Sequence, residues 1–171
     1  MKILILAIIF AISSTQLFAQ KNLDSTTIRP LNSFSINMFG SASISYLGFE
    51  GLFMNRPDFF FSGKVGFGLN QEFKICVWGT CDKPDVYFTI PHHVTANFGK
   101  GKHFIEMGVG GTIIEGNITQ HYQVYPILGY RFQPLKPKKL NFRIFGCYPL
   151  IPMHEKNILF IPIGISVGYC F

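Results

Sequence analysis

Hydrophobic and polar residues alternate along most of the chain after residue 32. In "SFSINMFG" (33–40), Phe34, Ile36 and Met38 fall on one face, and Ser35 and Asn37 fall on the other. Because successive side chains of a β-strand point to opposite faces, this period of two predicts a strand with one apolar and one small, polar face.

Eight such segments follow one another, separated by turn-forming residues. The predicted strands are 33–40, 43–53, 59–69, 86–98, 103–114, 122–133, 140–151 and 158–171. Their lengths are close to the roughly 9 to 11 residues of a tilted membrane strand. The pattern predicts an all-β fold: an eight-stranded antiparallel up-and-down transmembrane β-barrel.

The predicted connections differ in length on the two ends of this barrel. "NRPD", "GKGK" and "PLKPKK" are short, and they alternate with the longer segments 70–85, 115–121 and 152–157. Outer-membrane barrels have short periplasmic turns and longer outer loops. The 70–85 loop is therefore predicted to face outward, although the first connection, Gly40–Ala42, is a short exception.

The N-terminus has the layout of a secretory signal. Lys2 precedes the apolar stretch "ILILAIIFAI", and "SSTQLFAQ" follows as a polar segment with a small residue at Ala19. We expect Sec export and cleavage after Ala19. Residues 1–19 are then the signal peptide, 20–32 a periplasmic leader, and 33–171 a barrel in the outer membrane.

Composition restricts both the class of protein and the class of partner. The 171 residues are 16% aromatic and 14% charged, whereas charged residues make up about a quarter of a typical soluble domain. The net charge of +6 comes without a basic patch apart from "KPKK", so no nucleic-acid partner is predicted. A soluble lipocalin-like binder has the same period of two but bulky residues inside, and it stays as an alternative.

Five charged residues fall on the small, polar face that is predicted to line the barrel interior: Glu50, Lys64, Glu106, Arg131 and Arg143. Pairing across the short turns sets Glu50 opposite Lys64 and Arg131 opposite Arg143. Buried ions are costly unless paired, so we expect Glu50 and Glu106 to bridge to the three cations. This network predicts a plugged, charge-paired lumen, with a narrow small-solute pore as the alternative.

The longest predicted loop contains the candidate interaction residues. Phe73 and Trp78 are the candidate contacts for an extracellular ligand or protein. Cys76 and Cys81 are a candidate disulfide, because exported proteins fold in an oxidising compartment, and two free thiols are the open alternative.

Catalysis is the competing function. Lipid A deacylases and palmitoyltransferases are small outer-membrane barrels that use His and Ser, and acyl transfer needs a nucleophile, a base and an orienting carboxylate together. His93 and His154 are the histidines to test, but no Ser–His pair with an acidic partner emerges from the pattern. A structural or interaction role is favoured over an acyl hydrolase or transferase, and no catalytic residue, metal or cofactor is predicted.

The C-terminal stretch "IGISVGYCF" alternates apolar and small residues and ends on an aromatic residue. Tyr169 and Phe171 make it resemble the terminal signal that the bacterial outer-membrane insertion machinery reads. With "LFAQ", "SYLGFE", "HFIEMGVGG", "GYRFQP" and "FRIFGCYPLI", the chain resembles the small outer-membrane β-barrels of the Bacteroidota. The resemblance implies fold and location, and it assigns no activity. We expect a monomer surrounded by outer-membrane lipid, inserted by contact with the insertion machinery.

Overall fold

The chain is described by a computed structural model covering residues 29–72, 84–116, 118, 120–150 and 158–171. Eight strands follow one another: β1 (Asn32–Met38), β2 (Ser45–Phe53), β3 (Phe59–Gln71), β4 (Val86–Lys100), β5 (His103–Glu115), β6 (Tyr122–Phe132), β7 (Lys139–Cys147) and β8 (Ile163–Cys170). Within these ranges, no helix is long and apolar enough to cross a membrane.

The strands form one closed antiparallel barrel in sequence order. Each strand pairs with the next, and β1 pairs with β8 from Ser33 opposite Cys170 to Met38 opposite Ile165. Closure satisfies the edge groups of both terminal strands, so neither offers an open edge for pairing with another chain. The predicted all-β, eight-stranded antiparallel barrel is confirmed.

The two faces of the wall differ sharply. The outer face has bulky apolar side chains at alternate positions, with exposed fractions such as 61% for Phe34, 66% for Leu47 and 60% for Leu128. The inner face combines small and polar side chains with a few aromatic rings, and its charged members are almost fully buried. The alternation in the sequence is therefore an alternation between the outside and the inside of the barrel.

The last two strands are shorter than predicted at one end. β7 ends at Cys147 rather than residue 151, and β8 begins at Ile163 rather than residue 158. Pro149 and Pro162 explain the difference, because proline has no backbone N–H to donate to a strand partner. Ile158 instead forms an isolated bridge with Glu72.

The barrel has two distinct ends. The turn end carries the connections 54–58, 101–102 and 133–138, and the loop end carries the others. Six exposed cations lie at or next to these turns: Arg56, Lys100, Lys102, Lys136, Lys138 and Lys139. Asp58 is the acidic residue at this end, whereas Asp85 and Glu115 are exposed acids at the loop end in the described part of the chain. The barrel thus has a basic turn end.

Candidate functional site

The interior of the barrel contains a pair of charged side chains that spans it from wall to wall. Arg131 on β6 donates from Nη1 and Nη2 to Oε1 and Oε2 of Glu50 on β2, with both donor–acceptor distances 2.7 Å. Arg131 Nε also donates to Gln133 Oε1, at 3.1 Å. This bidentate geometry uses both carboxylate oxygens and is the strong form of an arginine–carboxylate contact.

A second ion pair lies beside the first. Arg143 on β7 donates from Nε to Oε2 of Glu106 on β5. Its guanidinium also stacks over the Phe145 ring, with Cζ 4.6 Å from the ring centroid. Nη1 and Nη2 of Arg143 and Oε1 of Glu106 are buried without a hydrogen-bond partner among the described residues. The two ion pairs therefore differ in how completely their polar atoms are satisfied.

Lys64 behaves differently from the two arginines. The strand register places it opposite Glu50, and places Arg131 opposite Arg143, as the pairing argument predicts. Yet the Lys64 ammonium donates to Asn37 Oδ1 at 2.5 Å and to Ser166 Oγ at 3.3 Å. In the described ranges it forms no salt bridge, because both oxygens of Glu50 already accept from Arg131. The expectation that the carboxylates bridge to all three cations is corrected to two pairs and one amide-bound lysine.

The connection between β1 and β2 folds into the barrel instead of standing above it. We call residues 39–44 the inner hairpin. Phe39, Gly40, Ser41 and Ala42 have φ of 60°, 66°, 55° and 51°, a left-handed run that is costly for residues with a Cβ. Ser41 and Ala42 are both 0% exposed. This arrangement was missed by the sequence pattern, which predicts an ordinary short turn at Gly40–Ala42.

Contacts with β4, β5 and β7 hold the inner hairpin in place. Thr112 Oγ1 donates to the Ser41 carbonyl at 2.6 Å, and the Ser41 amide donates to Cys147 Sγ at 3.3 Å. Ser41 Oγ lies 3.0 Å from Nε2 of His93, which is also 3.2 Å from the Tyr125 hydroxyl. These bonds span the interior and compensate part of the backbone strain.

The Ser41–His93 contact brings a hydroxyl and an imidazole together, which the sequence pattern does not predict. In a serine hydrolase, the second ring nitrogen of the histidine bonds a carboxylate that orients the ring. Here Nδ1 of His93 is buried with no hydrogen-bond partner in the described ranges. The arrangement has two of the three members of a catalytic triad, the hydroxyl and the imidazole, and both side chains are buried.

Arg29 covers the turn end of the interior. It donates to Asn55 Oδ1 at 3.2 Å, to the Arg56 carbonyl at 2.5 Å and to the Pro57 carbonyl. Its Cζ lies 5.4 Å and 4.6 Å from the ring centroids of Phe60 and Phe104. Although it precedes β1, Arg29 is 1% exposed and belongs to the packed interior.

Sequence reasoning missed Arg29 because it lies in the predicted leader, 20–32. An arginine directly before Pro30 has no periodic pattern that would assign it to the interior.

The remaining predicted site residues fall in two groups. Tyr169 and Phe171 lie on the outer face at the turn end, 48% and 45% exposed, and the Phe171 ring stacks on Phe34. Residues outside the described ranges are the predicted signal peptide 1–19, the loop aromatics Phe73 and Trp78, the cysteines Cys76 and Cys81, and His154.

No candidate metal site is found in the described ranges, where no three His, Cys, Asp or Glu side chains converge as a metal would require. His92 and His93 point to opposite sides of the wall, and His92 Nε2 lies 2.8 Å from the Tyr122 hydroxyl on the outside. No family model, no curated protein and no solved structure shows significant similarity to this chain.

Proposed function

We propose that the chain is an outer-membrane β-barrel with a structural or interaction role, a plugged and charge-paired lumen, and the 70–85 loop facing outward. The main support for the proposal is the distribution of residues between the two faces of the wall, which is the reverse of that in a soluble barrel. Apolar side chains cover the outside of a closed barrel, while ionised and polar side chains are buried inside it. This distribution is typical of transmembrane barrels and opposite to that of soluble ones.

Exposing the outer face of this barrel to water would be costly. Burying one large apolar side chain is worth about 1.5–3 kcal/mol, and every strand of this barrel leaves such side chains exposed. An apolar surface that continues around the whole wall exceeds the patches found on soluble monomers. Lipid acyl chains would cover it completely without requiring a protein partner, which supports a monomer in the membrane.

The short connections at the turn end support its assignment to the periplasmic side, and two further features support its position at a membrane interface. The six exposed cations there would lie at the depth of the headgroups, where anionic lipids attract Lys and Arg. Tyr169 and Phe171 lie outside on the same end, where an aromatic girdle is expected. Recognition of this C-terminus by the insertion machinery, export by residues 1–19 and membership among the small Bacteroidota barrels are parts of the same proposal.

The contacts inside the barrel favour a plug over a pore. An eight-stranded barrel has an interior just wide enough for side chains. Here the inner hairpin, the two ion pairs and Arg29 occupy it at successive heights between the loop end and the turn end. A function at the outer surface, through the 70–85 loop with Phe73 and Trp78, therefore fits better than conduction.

A lipid-modifying enzyme has one observation in its favour, the 3.0 Å contact between Ser41 and His93. Burial of both side chains and the unpartnered Nδ1 weigh against it. The test for an enzyme is to express the wild type and Ser41→Ala in a Gram-negative host and to measure the mass of lipid A. A mass shift with the wild type that is lost in the variant would establish the enzyme in place of the structural role.

Electrophoretic heat modifiability tests the proposed function. The chain is refolded into detergent micelles and into phosphatidylcholine vesicles, and boiled and unboiled samples are compared on a gel. A faster unboiled band is expected in both, because a closed barrel resists the gel detergent. Equal mobility, together with a monodisperse folded protein in plain buffer, would favour the lipocalin-like binder instead.

A further inference from the structure

We propose that the barrel interior binds one small monovalent inorganic anion of about the size of chloride, held by the guanidinium of Arg143. Arg143 is 4% exposed, and its Nε donates to Glu106. Its Nη1 and Nη2 are buried and make no hydrogen bond in the described part of the chain. Buried N–H groups in folded proteins nearly always have an acceptor, so two unpartnered nitrogens on one cation favour a binding site for an acceptor.

Further unpartnered groups lie on side chains that are linked to Arg143 through a series of ring contacts. Arg143 stacks on Phe145, whose ring centroid is 6.0 Å from that of His93, and the His93 ring is 6.3 Å from that of Tyr46. We call Arg143, Phe145, His93 and Tyr46 the Arg143 cluster. The His93 Nδ1 and the Tyr46 hydroxyl are also buried without a hydrogen bond among the described residues. Both can donate, so the cluster offers several donors in one region.

Charge points to the same ligand class. The central ion network has three cations, Lys64, Arg131 and Arg143, against two carboxylates, Glu50 and Glu106, which leaves an excess of one positive charge. Uncompensated buried charge is strongly unfavourable. Lys64 approaches the cluster as well, with Nζ 5.5 Å from the centroid of the Tyr46 ring. One bound monoanion would neutralise the central ion network and accept from the free donors.

The packing on the Gly110 side of His93 is tight. A single added carbon at Gly110 would lie 2.7 Å from His93 Cδ2 and 2.5 Å from a Tyr125 ring carbon. Larger oxyanions such as sulfate would need more room and would bring two negative charges to an excess of one. A spherical halide accepts from N–H and O–H donors in any direction, which suits donors that come from different side chains.

Bromide is the direct probe. Crystals of the full-length folded protein are grown with sodium bromide, and anomalous difference density is recorded at the bromine absorption edge. We expect one peak inside the barrel within hydrogen-bond distance of Arg143 Nη1 or Nη2. Water in that position, or no ordered density next to Arg143, would overturn the proposal.

Two matched double variants distinguish the effect of the Arg143 donors from the effect of the net charge of the network. Arg143→Gln with Glu106→Gln removes the unpartnered guanidinium donors. Arg131→Gln with Glu50→Gln removes a pair in which every nitrogen of the arginine has an acceptor. Each double variant keeps one excess positive charge. At equal ionic strength, the wild type and the Arg131–Glu50 variant should melt at a higher temperature in bromide than in gluconate. The Arg143–Glu106 variant should show no difference. A halide effect of the same size in all three proteins would contradict the assignment to Arg143.

Discussion

Arg131 and Glu50 join β6 to β2 across the barrel through two parallel hydrogen bonds of 2.7 Å each. The two strands are not neighbours in the closed sheet, so the contact fixes the distance between opposite parts of the wall. A charge-paired bridge of this kind is strong only while both partners are present, because either one alone is a buried, unpaired ion.

Glu50→Gln should therefore destabilise the barrel by about 3–5 kcal/mol, since it leaves the Arg131 charge without its partner. Glu50→Gln with Arg131→Gln should cost clearly less, because neither side chain is then charged. Urea unfolding in lipid vesicles measures both free energies of unfolding. Glu115→Gln, at an exposed acid, is the control and should be neutral. A double variant no more stable than Glu50→Gln would contradict this account of the pair.

Replacing each arginine by lysine tests the difference between the two ion pairs. Arg131→Lys loses a bidentate contact and the bond to Gln133, whereas Arg143→Lys loses one Nε contact that an ammonium can replace. Each substitution also removes a guanidinium–ring contact, with Phe60 or Phe145, so that loss is similar in both variants. Arg131→Lys should cost at least about 1.5 kcal/mol more, the value of one additional charged hydrogen bond. The same urea titration reports the comparison. Equal losses would show that the bidentate geometry adds nothing.

Arg29 should stabilise the turn end although it precedes the first strand. Arg29→Ala removes its hydrogen bonds to the Asn55–Pro57 segment and its contacts with two phenylalanine rings, a loss of about 2 kcal/mol. Arg56→Ala is the matched control: this arginine is exposed, and its carbonyl, which accepts from Arg29, is kept. Similar melting temperatures for the two variants would place Arg29 outside the folded core.

Lys138 has a left-handed backbone, with φ of 59°, which costs about 1–2 kcal/mol for a residue with a Cβ. Lys138→Gly should relieve that strain and, after the entropy loss of glycine, stabilise the barrel by about 0.5–1 kcal/mol. Lys136→Gly in the same exposed turn should instead destabilise it slightly. Chemical unfolding of both variants and the wild type gives the sign of each change in the free energy of unfolding. Destabilisation by Lys138→Gly would argue against a strained turn.

Much of the architecture was predictable from the sequence because the period of two is strong. The eight strands follow from it, and so do the positions of Glu50 opposite Lys64 and Arg131 opposite Arg143. The partners of the charged side chains are less predictable, because they bridge strands that are distant in sequence. Arg131 therefore reaches Glu50 on the far wall, while Lys64 bonds to Asn37.

The inner hairpin and Arg29 could not be predicted from the pattern. Ser41 enters the interior through four successive left-handed residues, and of these Gly40 alone is a residue type that favours that conformation. Its stabilising contacts come from β4, β5 and β7, far along the chain. Such features depend on tertiary packing and leave no periodic signal in the local sequence.

The most direct test of the membrane assignment is the depth of an outer-face residue in a bilayer. Trp78 is the single tryptophan, so Trp78→Phe gives a background without tryptophan. Into it, Leu128→Trp places an indole near the middle of β6 on the outer face, and Lys136→Trp places one at the turn end.

Phosphatidylcholine vesicles with bromine at the middle of the acyl chains then serve as the quencher. For an outer wall in contact with lipid, we expect strong quenching of the tryptophan at position 128 and weak quenching at position 136. Equal, weak quenching at both positions of a folded protein would contradict a lipid-facing outer wall.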